Sequence, residues 1–235
     1  MVRATAATTS NYLTGYIDAT FTVTAATCAT GGVCALGDTG PGGGKVFYVH
    51  DDADDLFTST GSDCNMTCKY LEVAPNTWGG GSADPTKLWA VIANQSSDVG
   101  SIPNDSSAYN NASGVGHGYK NSIAIVNQGN NTTTAAGAAR AYTGGSKSDW
   151  YLPTTAELNL LCQWARNVAQ DVATRCTGGT LNTGTGASGG FSSSYYWSSS
   201  EHAASNAFFQ DFNNGTQSSP NKFNSTHVRP VRAFG

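Results

Sequence analysis

The C-terminal segment from Tyr195 onward constrains the fold of this chain more than any other stretch. It opens on Tyr195-Tyr196-Trp197-Ser198-Ser199-Ser200-Glu201 and closes on His227-Val228-Arg229-Pro230-Val231-Arg232-Ala233-Phe234. The first run is an aromatic strand and the second alternates Val with Arg, so both need a sheet to receive them. Between them lies a Ser/Asn-rich stretch carrying bulky residues with no evident core role. Fixed strands around a stretch whose side chains can change without cost to folding point to recognition of a partner ahead of catalysis.

Strand alternation refines this reading. In Asn206-Ala207-Phe208-Phe209-Gln210-Asp211-Phe212, residues 208, 210 and 212 share one face, and 207, 209 and 211 share the other. With Phe208 and Phe212 facing the core, Phe209 points outward, where an aromatic ring serves contact with a partner. Asn213-Asn214-Gly215-Thr216 predicts a tight hairpin turn with positive φ at both Asn and Gly, and Phe223 stands beyond it as a second isolated aromatic. Arg229 and Arg232 are read as structural braces for the display loops, with Glu201 as their carboxylate partner.

Composition removes several function classes. Charged residues make up only 12%, against about 25% in ordinary globular chains. The net charge is −4 and no basic run occurs, so nucleic-acid binding lacks its electrostatic footprint and adsorption to an anionic membrane has no support. No stretch is apolar enough to span a bilayer. Met1-Val2-Arg3-Ala4 lacks the apolar core of a signal peptide, so export would need a leader outside this sequence or another route.

Six cysteines fall into local pairs, Cys28/Cys34, Cys64/Cys68 and Cys162/Cys176. Their spacing does not match zinc knuckles and no His lies close by, which favours disulfides and an oxidising compartment. Spacing alone leaves the connectivity open; the expectation is that each local pair closes on itself.

Residues 11–27 alternate apolar residues with Thr and read as a strand, either a stalk remnant or an N-terminal extension. Gly37-Asp38-Thr39-Gly40-Pro41-Gly42-Gly43-Gly44 is a turn cluster rather than a phosphate loop, since Lys45 is followed by Val46. It feeds a strand at Lys45–His50. The acidic run Asp51–Asp55 lacks the ligand alternation of a Ca²⁺ loop, so neither a metal nor a cofactor is expected. Residues 70–74 and 88–92 read as buried strands, and residues 94–118 as a long loop. Helices are predicted over 119–126 and 132–142. A third starts at Thr154, where Glu157 completes a capping box and Leu158, Leu161, Trp164, Ala165 and Val168 follow at helical spacing. Residues 177–194 form a Gly/Thr/Ser loop.

The Gly37–Gly44 cluster, Asp149-Trp150-Tyr151-Leu152-Pro153 with Glu157-Leu158, Tyr196-Trp197-Ser198-Ser199-Ser200-Glu201 and Val228-Arg229-Pro230-Val231-Arg232 together resemble a bacterial family of C-type lectin fold. The family includes the C-terminal domains of collagen-like adhesins and the variable proteins of diversity-generating retroelements. The resemblance covers roughly residues 36–235. It implies an α+β domain with small antiparallel sheets, two to three helices and long ordered loops, preceded by an extension over 1–35. It also implies a variable region over about 195–235, rewritten through adenine-directed mutation of Asn-type codons. Residue types that such codons reach stand at His202, Ala203, Ser205, Phe209, Thr216, Ser218, Ser219, Pro220, Phe223, Ser225 and His227, a condition most types meet. Trp197, Ser198 to Glu201, Asn206, Phe212, Gly215, Arg229, Pro230 and Arg232 look fixed by the family pattern, while Phe208 replaces a frequent Trp. The Ca²⁺ and sugar motifs of sugar-binding lectins are absent, which puts Ca²⁺-dependent lectin activity in doubt.

The expectation is therefore a binding protein displayed outside the cell, on a cell surface or a virion, without enzyme activity. Its partner would be a protein or glycan met by the residues just named on one surface, with Phe209 and Phe223 as anchors. An invariant adhesin module is the alternative reading. A hydrolase is the weaker one, because the four His are dispersed, the serines lack a nucleophile elbow, and Asp149, Glu157 and Glu201 have only their presence to recommend them as an acid pair. The first strand at Lys45–His50 is expected to pair with a closing strand over His227–Phe234.

Overall fold

The computed structural model describes residues 25–50, 56–104, 114–184 and 189–235. The predicted strand over 11–27 lies outside this set except for its last three residues, and the acidic run at 51–55 lies wholly outside it.

The turn cluster at 37–44 delivers the chain into β1 (Lys45–Val49). After β2 (Phe57–Ser59) and β3 (Asn65–Cys68), which pair with each other, β4 (Tyr70–Val73) runs antiparallel to β1. The closing strand β10 (Val231–Phe234) flanks β4 on its other side, giving the order β1-β4-β10. The first and last strands thus share a sheet, but β4 lies between them, so their expected direct pairing is corrected. The predicted closing strand over 227–234 is also two strands. His227 ends β9 (Ser225–His227), which belongs to a five-stranded sheet, and the chain crosses to the three-stranded sheet through Val228-Arg229-Pro230. Pro230 has no N–H to continue a ladder; its carbonyl instead accepts from Ala74 N at 3.0 Å.

The five-stranded sheet has the order β5-β9-β6-β7-β8, with β5 at Thr86–Leu88, β6 at Tyr195–Ala203, β7 at Asn206–Asp211 and β8 at Gln217–Ser218. The strand predicted over 88–92 ends at Leu88. Trp89 turns inward, its indole N–H donating to Ser198 O at 2.8 Å, and Ile92 is exposed.

Helices α1 (Gly118–Asn127) and α2 (Ala135–Ala141) match their sequence signals, with α2 starting later than the pattern indicates. In α3 (Thr155–Ala165) the predicted capping box is present: Thr154 Oγ1 accepts from Glu157 N, and the Glu157 carboxylate accepts from Thr154 N at 2.8 Å. The helix stops before Val168, with Asn167 in the left-handed region at φ 53°.

Core residues gather around α3 between the two larger sheets, with Phe47, Leu71, Tyr151, Leu161, Tyr196 and Phe212 among them. A second cluster joins Trp89, Ile125, Ala136, Leu152, Trp197 and Val228. The three local disulfides form as expected, Cys28–Cys34, Cys64–Cys68 and Cys162–Cys176. Loops this short limit the gain to about 2–3 kcal/mol per bond. Cys28 and Cys34 pack on Val46, Tyr70 and Phe234, so the first disulfide loop, read from sequence as part of an extension, adheres to the three-stranded sheet.

Candidate ligand-binding surface

Buried charge organises the framework beneath the C-terminal segment. Arg232 donates to Asp149, to Glu72 at 3.0 Å and to Asp63 at 3.1 Å. The Glu72 carboxylate also accepts the N–H groups of Gly42 (2.9 Å) and Gly44 (3.1 Å), which explains the glycine-rich turn. A Cβ at Gly42 would stand 2.6 Å from Trp150 and 2.7 Å from Glu72, and one at Gly44 would stand 2.4 Å from Val73 O. Burial drives the Glu72 carboxyl upward from its ordinary pKa, and the Arg232 partnership opposes this.

Arg229 is buried and paired with Asp84, donates to Ala74 O at 3.1 Å and to the carbonyls of Gly189 and Gly190, and stacks 4.4 Å from the Phe191 ring centre. Asp84 accepts in addition from Tyr196 Oη at 2.7 Å and from Trp78 Nε1 at 3.0 Å. Both arginines are thus buried in ion pairs with Asp84, Glu72 and Asp149, and Glu201, the partner expected from sequence, is bonded to neither. Glu201 pairs with Lys222, a residue sequence reasoning passed over although it is the sole Lys or Arg between His202 and His227.

On this framework the proposed contact residues all keep some exposure. Ser218, Phe223 and Ser225 are exposed, while His202, Ala203, Ser205, Phe209, Thr216, Ser219, Pro220 and His227 are half-buried. The register divides them between faces. Trp197, Phe209 and Ser218 stand side by side across β6, β7 and β8, whereas Tyr196 is opposite both Gln210 and His227. Phe209 and Ser218 therefore share one face, and His227 with Ser225 belongs to the other. The His227 ring lies 5.3 Å from that of Tyr196, and the His202 ring packs edge-on to Phe208 at 5.2 Å. Ala203 pairs with Asn206, and Ser205 Oγ lies 2.8 Å from Asn206 Oδ1. Ser219 and Pro220 offer their carbonyls to Asn206 Nδ2 and Ala207 N. The structure thus does not bring the whole set onto a single surface.

Tyr195, absent from the predicted set, completes the aromatic part of the face. It is 47% exposed and its ring centre lies 4.4 Å from that of Phe209. Phe209 in turn packs against Trp197, with ring centres 6.4 Å apart. The Phe209 ring is thus half core and half surface. Phe209→Ala is expected to cost about 2 kcal/mol, roughly half of a full core truncation, while Phe223→Ala, at 55% exposure, should leave the unfolding midpoint unchanged. Urea titration of each variant checks this split.

The connection from β7 to β8 is longer than the two-residue turn predicted. Gly215 has positive φ, at 75°, and Asn214 does not. The turn is held from outside: Arg166 donates to Phe212 O (2.9 Å) and Asn213 O (3.0 Å), and Arg175 to Asn214 O (3.1 Å) and Thr216 Oγ1. Both arginines lie within the loop closed by Cys162–Cys176.

Small sheets and, among the described residues, three α-helices with a long C-terminal β-segment on a buried ionic frame define a C-type lectin-like domain of α+β class. The family model of the Lcl C-terminal domain matches residues 80–232, and the chain belongs to that family. This is the C-type lectin-fold variable-protein domain of diversity-generating retroelements, a binding family and not an enzyme family. No curated protein matches the chain.

Proposed function

We propose that this protein is a ligand-recognition module displayed outside the cell, on a cell surface or a virion, whose segment from Tyr195 onward is diversified by a retroelement. The observation that carries this reading is the contrast within that segment. Trp197, Ser198, Ser199, Glu201, Phe212, Arg229 and Arg232 are buried, and the candidate contact residues between them are not. Exposed substitutions shift stability by no more than about 0.5 kcal/mol, so residues such as Phe223 can follow a ligand without loss of the fold. The ligand is a protein or glycan, and Tyr195, Phe209 and Phe223 supply aromatic contact area of the kind that dominates binding energies. Disulfides fit an oxidising compartment. No described helix is long and apolar enough to cross a membrane. Catalysis has no support in the acids singled out from sequence, since Asp149, Glu157 and Glu201 are all buried and committed to internal partners.

The DNA flanking the coding region tests the diversification. The expected finding is a reverse-transcriptase gene and a template repeat matching the codons from Tyr195 onward, with differences confined to template adenines. An invariant C-terminal sequence across isolates, with no repeat nearby, would instead make the protein a fixed adhesin module.

A further inference from the structure

Lys222 breaks the pattern of the stretch around it. Its side chain is fully buried, while Phe223 beside it is 55% exposed. The ammonium donates to Ser97 O at 2.8 Å and to the Glu201 carboxylate, and stands 4.8 Å from the Trp89 ring centre. Glu201 accepts Val99 N as well, at 3.0 and 3.2 Å. The main chain of the same residue is equally committed: Lys222 N donates to Ser205 O at 2.9 Å, and Lys222 O accepts from Trp89 N at 3.0 Å. One residue therefore ties the β8–β9 connection to the 89–99 segment, to β6 and to the β6–β7 turn.

Burying an ammonium and a carboxylate is expensive, and an apolar pair of similar volume often folds as well or better. What the ionic pair adds is direction. An aliphatic chain can slide along the Trp89 face, whereas an ammonium held by two oxygens occupies one place. We propose that Lys222 is a positioning residue of the binding face, paired with Glu201 to fix the loop from Ser219 to Asn224 and so the point from which Phe223 meets a ligand. This inference rests on the display reading and adds to it. Inside the variable stretch one position stays constant so that its neighbours can change.

The test uses the full chain with Lys222→Met, Glu201→Gln and the two combined. Lys222→Met alone strands a buried carboxylate and lowers the melting temperature, as loss of any structural residue would. The double variant has a neutral core and should melt near the wild type. Its amides at positions 207, 222 and 224, bonded to Pro220 O, Ser205 O and Asn221 O, should nevertheless exchange about tenfold faster as the loop loses its anchor. Unchanged protection at these amides in the double variant overturns the proposal. A library randomised over 219–224 and selected only for protease resistance covers the case in which the double variant does not fold. Lys should then be retained at 222 while 223 accepts any residue, and recovery of Met or Leu at 222 as freely as at 223 overturns it. Failure of the display reading shows separately, as the absence of a template repeat, and leaves the exchange result intact.

Discussion

Arg232→Met should destabilise the protein by about 3–5 kcal/mol at neutral pH, the cost of breaking a buried ion pair from one side. The methionine fills much of the arginine's volume, so packing is not the main loss. Glu72 is fully buried and Asp149 nearly so, and the substitution leaves both without their cation. The Gly42 and Gly44 N–H groups still reach Glu72, but they cannot offset the removal of a full charge. Adding Glu72→Gln and Asp149→Asn to the same chain should restore most of the loss, because the site is then neutral and its N–H donors keep acceptors. Chemical denaturation of the single and triple variants measures both steps. Equal midpoints for Arg232→Met and the wild type would mean that the network does not brace the closing strand.

Much of this architecture could be read from the sequence where its causes are local. The disulfides close over short spacings, and the Thr154–Glu157 capping box needs only residues three apart. The ionic frame is another matter, since Arg232 meets Asp149 across 83 positions and Glu72 across 160. With only 12% charged residues, each buried acid and base was conspicuous, yet nothing in the chain says which meets which. Glu201 likewise finds its cation in Lys222, 21 positions on, and not in either arginine of the closing segment. The division of contact residues between two faces escaped for a related reason. Alternation orders residues along one strand, but which face of one strand joins which face of the next is set by the pairing of Trp197 with Phe209 and of Tyr196 with His227. The break at Pro230 was visible as a residue type, but its consequence, two sheets served by one run of alternating residues, depends on where Ala74 lies.

Glu157 should make the stability of the domain fall as pH rises toward neutrality. Its carboxylate is fully buried, and among the described residues no cation lies within ion-pair distance. It accepts from Tyr151 Oη at 3.0 Å, Gly116 N at 2.8 Å and Thr154 N at 2.8 Å. Loss of hydration outweighs these bonds and pushes its pKa from the ordinary 4.5 to about 7. The folded chain therefore keeps a proton that the unfolded chain releases between these two values. The native state is favoured most below the lower value, loses ground as pH climbs through the window, and levels off above about 7. A shift of this size corresponds to something on the order of 3 kcal/mol. Glu157→Gln lacks the titration, so the difference in unfolding free energy between wild type and variant isolates this group from every other carboxyl. That difference should move by roughly 3 kcal/mol against the wild type between pH 4.5 and pH 8. A constant difference over the same range would show that the three donors alone hold Glu157 ionised. The capping box that starts α3, and the Gly116 contact that ties it to the approach of α1, would then carry no pH-dependent cost.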